Sequence, residues 1–305
     1  MALTDLAVHA PPASGDYPYS PPANWKPGQA AFVAQGGVYV DPVFGQIHRR
    51  LTNVFPNVGD SFLYAANGRW NADGTRLVRD PSATGTLDII DATTGATVRA
   101  NIPGGASGEP TFDPVYPDVW YYFSGTQLRK FLLSTGTNAL VKNFGATLAT
   151  LGQSVDSVSH DGRYFAINRN GRVYVWDGAD SSGRLPGNPA YAPQANGLAG
   201  TFTGNFLATE FTTANGWCGI APDGSGLLTV RFPGNILWHV ANKTTRTLAA
   251  SPVERGPMGG GSSGDHSDYA LGPDGKVYLV GLDRNGQNEL AAVASACGAD
   301  YADVA

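Results

Sequence analysis

Hydrophobic and polar positions repeat along this chain in one short pattern: a brief strand, a turn built on Asp-Gly, and a second strand. Its clearest copy spans residues 264–282, where Pro273-Asp274-Gly275 is followed by the apolar run Val277, Tyr278, Leu279 and Val280. The same grammar stands at residues 70–78, 159–165 and 221–228, with a weaker copy at 112–122. Short apolar segments bounded by Gly, Pro, Asp and Asn predict strands rather than helices. The turn chemistry is local: Asp bonds the backbone of its own turn, and Gly takes φ > 0 without steric cost.

The turn aspartates Asp73, Asp118, Asp161, Asp223 and Asp274 are separated by 45, 43, 62 and 51 residues. A period of that length with about four strands in each is the mark of a β-propeller. The predicted fold is therefore all-β: a β-propeller of four-stranded blades, five to six in number. In the first unit strands are predicted over 62–70, 75–79, 86–91 and 96–100, with a hairpin turn at Asp91–Gly95. The second unit starts near Glu109 and holds the apolar run Val119–Phe123 and the turn Ser134–Gly136. The third starts near Val155, includes Arg172–Trp176, and carries an insertion from Gly178 to about Gly200, dense in Gly, Pro, Ser and Asn. Loops of that length are often functional or disordered. The fourth starts near Trp217, with a strand at Asn235–Val240. A Gly-rich loop at 256–264 leads to the fifth.

Two further segments complete the plan. Residues 1–36 are rich in Pro, Ala, Ser and Tyr, and Pro cannot donate to a central sheet. They read as an extended arm, its Tyr17, Tyr19 and Trp25 favouring some packing, or as a tail. Residues 37–52 read as strand, turn and strand, the outer half of a blade. Together with the strands of residues 266–295 they would close the ring. The domain plan is thus 1–36 as arm and 37–305 as propeller.

Composition supports strands and excludes several partners. The 305 residues include 40 Gly and 21 Pro, and the formal net charge is −5. Such a charge gives no electrostatic reason to bind nucleic acid or an anionic membrane. No apolar run is long enough for a transmembrane helix, and the N-terminus lacks the pattern of a secretory signal. A cytoplasmic or particle-associated protein is expected. Cys218 and Cys297 read as buried free thiols rather than a disulfide framework.

The segment Trp70-Asn-Ala-Asp-Gly-Thr-Arg-Leu-Val78, followed by Asp91-Ala-Thr-Thr-Gly95, resembles the TolB-type, WD-repeat-like propeller repeat. Arg49-Arg-Leu-Thr52 looks like the ending of such a repeat. The chain is also distantly similar to the propellers of oligogalacturonate lyases. The resemblance covers roughly residues 37–295. It implies a propeller and little about function, since the repeat is shared by binding proteins, peptidase accessory domains and lyases. Those lyases hold a divalent metal with several histidines on the axial face; here that face offers only His266.

Propeller geometry sorts the polar residues. Loops leading into the inner strands gather on one axial face, and the Asp-Gly turns lie on the other. The first face would receive Asp60, Glu109, Asp156 with Gln153, Trp217 with Asn215, and Asp265, His266 and Asp268. These form the candidate ligand-binding set: Asp60, Glu109, Asp156, Trp217 and His266. His266, between Asp265 and Asp268, is the candidate acid, base or ligand. The set suits a polar cleft for a sugar, or for a divalent cation, the one cofactor the carboxylates would hold. The plainer reading is that these groups cap strand ends around a water-filled channel. Carboxylate pairs among Asp60, Glu109 and Asp156 would also suit glycoside hydrolysis. His48 falls on an outer strand, His160 in an Asp-Gly turn and His239 on a strand. No Gly-x-Ser-x-Gly elbow and no phosphate loop is present.

The expected function is a non-catalytic binding or assembly module with a protein or glycan partner on that face, as in a virion or surface appendage. The alternative is a carbohydrate-active enzyme, a polysaccharide lyase or glycosidase, working at the same face.

Overall fold

A computed structural model describes residues 33–40, 47–52, 70–80, 87–104, 110–145, 150–151, 157–169, 172–195, 218–222, 226–229, 235–239, 244–248, 267–271, 277–281, 291–292 and 302–303. The described residues form strands and turns, with no helix.

The strands follow the predicted order. A hairpin comes first, β1 (Val38–Val40) and β2 (Ile47–Arg49). The first sheet is β3 (Arg76–Arg79), β4 (Leu87–Asp91) and β5 (Thr97–Ile102), extended by a bridge from Trp70 to Leu77. Next comes a complete four-stranded meander: β6 (Thr111–Phe112), β7 (Val119–Ser124), β8 (Gln127–Leu132) and β9 (Thr137–Asn143). The third sheet is β10 (Thr150–Leu151), β11 (Tyr164–Arg169) and β12 (Arg172–Asp177). A second four-stranded meander follows, β13 (Cys218–Ile220), β14 (Gly226–Thr229), β15 (Asn235–His239) and β16 (Thr244–Leu248). The pair β17 (Ser267–Leu271) and β18 (Val277–Gly281) and the short pair β19 (Ala291–Ala292) and β20 (Ala302–Asp303) end the series. Every pairing is antiparallel between neighbours in sequence.

The stacking of the sheets explains the apolar run at β7. Side chains alternate across a strand. Val119, Tyr121 and Phe123 face the third sheet and pack with Phe165, Ile167 and Trp176. Trp120 and Tyr122 face the first sheet and pack with Val78, Leu87, Ile89 and Ile102. A strand covered on both faces must be apolar at successive positions, as Val119–Phe123 is. Phe165 lies edge-on to Tyr121 at 5.2 Å and tilted on Trp176 at 4.9 Å, so aromatic rings fill the gap between the second and third sheets.

The Asp-Gly turns run from unit to unit along one end of the sheets. Asn71 donates its side-chain amide to Pro117 O at 3.0 Å, joining the first turn to the second. Gly162 of the third turn abuts Val115 and Asp113 of the second. His160 N donates to Pro222 O at 2.9 Å, joining the third to the fourth. Successive units are therefore neighbours in space in chain order. All-β meanders stacked face to face, with linked turns, fit a WD-repeat-like propeller.

Asp73 accepts from Thr75 N and Asp161 from Arg163 N, each within its own turn. Asp118 departs from this expectation. Its carboxylate accepts Ser134 N and Ser134 Oγ, across to the next hairpin turn. In that unit the turn is one residue longer, and Asp113 takes the role by accepting Val115 N and Tyr116 N.

Candidate functional site

Of the predicted site residues, Asp60, Glu109, Asp156, Trp217, Asp265 and His266 lie outside the described residues. Asp268 stands on β17, in register with Val280 of β18. Thr111, the bridge residue Val158, Cys218 and Ser267 begin the inner strands, at the ends opposite the linked turns. Cys297 lies outside the described residues, as does the arm of residues 1–32. His48 and His239 fall on strands as expected, with His48 stacked on Tyr39 at 4.9 Å.

What the described residues bring together is a polar core roofed by the insertion. Residues 178–195 fold as a strap against the second and third sheets, so this part of the insertion is neither a loose loop nor a strand. Asp180 organises it by accepting the backbone N–H groups of Ser182, Arg184 and Ala192. Those donors hold its carboxyl below the ordinary carboxylate value, that of Ala192 most of all. Tyr191 enters the core beside Phe165 and Trp176. Gln194 accepts Trp176 Nε1 and donates to Asp177 O and Ala179 O.

Beneath the strap sit two buried lysines. Lys130 Nζ donates to Pro186 O at 2.6 Å and Asn188 O at 2.9 Å, and lies 5.5 Å from the Tyr191 ring centre. Lys142, 0 % exposed, reaches Ala195 O at 2.9 Å. Burial disfavours the ammonium form and lowers both from the ordinary lysine value. Asp113 shares this interior, with the Tyr121 hydroxyl donating to it. Burial raises the Asp113 carboxyl, against the opposing pull of Tyr121 and the turn N–H groups. Burial likewise raises Tyr121 well above its ordinary value, reinforced by the neighbouring carboxylate. Gly187 passes so close to Asp113 and Tyr116 that any side chain there would collide with them.

This cluster is chemically committed. The lysine ammoniums end on strap carbonyls, tying the second sheet to the strap that follows the third, and the Asp113 oxygens end on three donors of its own unit. Among the described residues no group of three or more His, Cys, Asp or Glu is gathered as a metal centre, and no helix is long and apolar enough to cross a membrane. The strap contacts were not anticipated from sequence. One signal was present: Lys130 shares strand parity with Leu128, an inward position.

No protein-family model and no curated protein matches the chain. Among solved structures, a chain of the crystal structure of a mitotic checkpoint complex is similar over 56% of this chain and 49% of its own, at 18% identity and a TM-score of 0.36. The chain thus spans about half the length of that protein.

Proposed function

We propose that this chain is a non-catalytic propeller of five to six blades, a rigid platform that docks a partner on the axial face opposite its Asp-Gly turns. The observation that carries this reading is the linkage of the turns. Residues 71–76, 113–119, 159–163 and 222 join along one end. The starts of the inner strands then gather at the other end, and the candidate residues directly precede them in sequence. Trp217 comes before Cys218, His266 before Ser267, Glu109 two residues before Thr111, and Asp156 two before Val158. The repeat pattern sets Asp60 before the first strand expected for the first unit, over 62–70. A tryptophan among carboxylates and a histidine suits a protein partner, with Trp217 as the buried anchor. The polar core under the strap supports the same reading, since it spends its charged groups on rigidity. The reading extends to a structural role in a larger particle or surface appendage.

Affinity capture followed by a titration of the purified partner tests this. Trp217→Ala with His266→Ala should weaken binding by at least about tenfold, the loss expected for a hot-spot residue, while the unfolding midpoint stays unchanged. Full binding by the double variant removes the axial face from consideration. A glycan partner is the second outcome, read by the same titration on an array. The alternative enzyme is checked by incubating the protein with uronate and neutral polysaccharides, with and without divalent metal. Cleavage that His266→Ala abolishes would overturn the non-catalytic reading.

A further inference from the structure

We infer that residues 17–25, the aromatic and Pro-rich part of the N-terminal arm, dock on the apolar seam between the β1–β2 hairpin and the first sheet of the same chain, covering Val38, Val40, Ile47 and Trp70. This surface is separate from the axial face, and the inference does not depend on the partner proposed there.

The seam is read from the register. Val38 stands opposite Arg49 and Val40 opposite Ile47, so these four side chains leave the hairpin on one side. That side points at the first sheet. Arg49 donates to Thr93 O at 3.0 Å, and Leu51, two residues on, packs against Leu77, Ile90 and Ala92. Trp70 is paired with Leu77, so it shares the side of the first sheet that meets the hairpin. Leu51 closes only part of the seam: Val38, Val40, Ile47 and Trp70 are 44%, 56%, 64% and 52% exposed. Among the described residues six large hydrophobic side chains are exposed, and four of them border this one seam. Scattered apolar residues are ordinary on a surface, but a group on one face marks a docking site. Phe112 and Val158 hold the place of Trp70 before the turns of the second and third units, and each is 4% exposed because a neighbouring sheet covers it. The last unit does not call on the hairpin for its outer strands, since β19 and β20 follow β18 and β19 lies against it.

The occupant is argued from where the arm ends and from its chemistry. Gln35 donates its side-chain amide to Leu51 O at 3.0 Å and to Gly95 O at 2.5 Å, which sets the approach to β1 in the seam itself. Arg50 Nη1 donates to Val33 O at 2.7 Å, and the arm joins there. Residues 17–25 read Tyr-Pro-Tyr-Ser-Pro-Pro-Ala-Asn-Trp, three aromatics and three prolines with no charge. Such a stretch favours polyproline II, which has no internal hydrogen bonds to break and little freedom to lose on entering an apolar groove with an aromatic wall. The Trp70 ring and the branched side chains of the hairpin offer that surface. The seven residues 26–32 span up to about 23 Å, whereas β1 carries the chain only about 10 Å from Gly37 to Val40. The whole seam is therefore within reach. The tether holds the segment at a local concentration on the order of millimolar, so a chain's own arm outcompetes that of another copy.

The test uses the full chain and two variants. Ile47→Asp places a charge on the seam at an exposed position. Tyr19→Ser with Trp25→Ser removes aromatic groups of the arm and leaves every described strand unaltered. Chymotrypsin cutting after Tyr19 and Trp25 should be at least roughly tenfold faster in Ile47→Asp than in wild type, because cleavage tracks the undocked population. Hydroxyl-radical oxidation of Trp70, mapped by peptide mass, should rise about twofold or more in the arm variant, as local opening uncovers the ring. An unchanged rate in either measurement overturns the inference. So does protection that is lost on diluting the protein, which would assign the seam to the arm of a second copy. Should Ile47→Asp lower the unfolding midpoint, the arm variant decides alone. Neither readout involves the axial-face partner, so a failure here and a failure of that binding are read separately.

Discussion

Replacing Asp113 strikes the joint between the turn of the second unit and Tyr121 of β7. Its Oδ1 accepts Val115 N at 2.7 Å and Tyr116 N at 2.8 Å, and its Oδ2 accepts the Tyr121 hydroxyl. Asp113→Ala leaves that fully buried phenol without its partner, which costs about 1–3 kcal/mol. The two turn amides lose their acceptor at roughly 0.5–1 kcal/mol each, giving an expected destabilisation of about 2–5 kcal/mol in urea unfolding. Asp113→Asn keeps the amide contacts and separates charge from geometry. Burial raises the folded carboxyl above its unfolded value. A group raised in this way adds stability that is fully present below the unfolded value and is lost as pH rises through the folded one. The stability gap between wild type and Asp113→Asn should therefore be larger near pH 3 than near pH 7 (roughly one unit below and three above the ordinary aspartate value of about 3.9). A gap that widens with rising pH would refute the burial argument. An Asp113→Ala cost under about 1 kcal/mol, below the penalty for one unsatisfied buried group, would refute the account of the joint.

Two further substitutions probe the stacking. Gly95 adopts φ +71°, and a Cβ there would collide with the Leu51 carbonyl. Gly95→Ala should cost more than about 1–2 kcal/mol, the left-handed penalty alone, and unhook residues 33–51, seen as faster tryptic cleavage at Arg49 and Arg50. Trp176 is fully buried between Phe144 and Phe165. Trp176→Ala should cost about 3–5 kcal/mol, with Trp176→Phe intermediate because it loses only the Gln194 bond and part of the ring; an alanine cost below about 1 kcal/mol counts against face-to-face stacking.

Much of the architecture was legible residue by residue. The turn at Asp73-Gly74 lies where the repeat placed it, with Gly74 at positive φ, and the strand at 75–79 is observed as Arg76–Arg79. Asp118 shows the limit of that reading. It matches the repeat in spacing, but the longer turn hands the local capping role to Asp113 and turns Asp118 toward Ser134. A one-residue insertion changes which carboxylate reaches which N–H, and spacing alone does not reveal it. The axial-face residues were legible only as positions before inner strands.

The sequence alone determined the strand grammar, because period-two patterning and Asp-Gly turns are local: each turn is satisfied by atoms a few residues away. It also determined the order of the units, since each repeat pairs with itself before meeting its neighbours. Only the tertiary structure decided the role of the insertion. Nothing in a stretch of Gly, Pro, Ser and Asn shows that its carbonyls at Pro186, Asn188 and Ala195 receive two buried ammonium groups from strands some fifty residues earlier. Those bonds exist because stacking two sheets leaves Lys130 and Lys142 inside, where an ammonium must find acceptors in place of water, and the strap is the chain that supplies them.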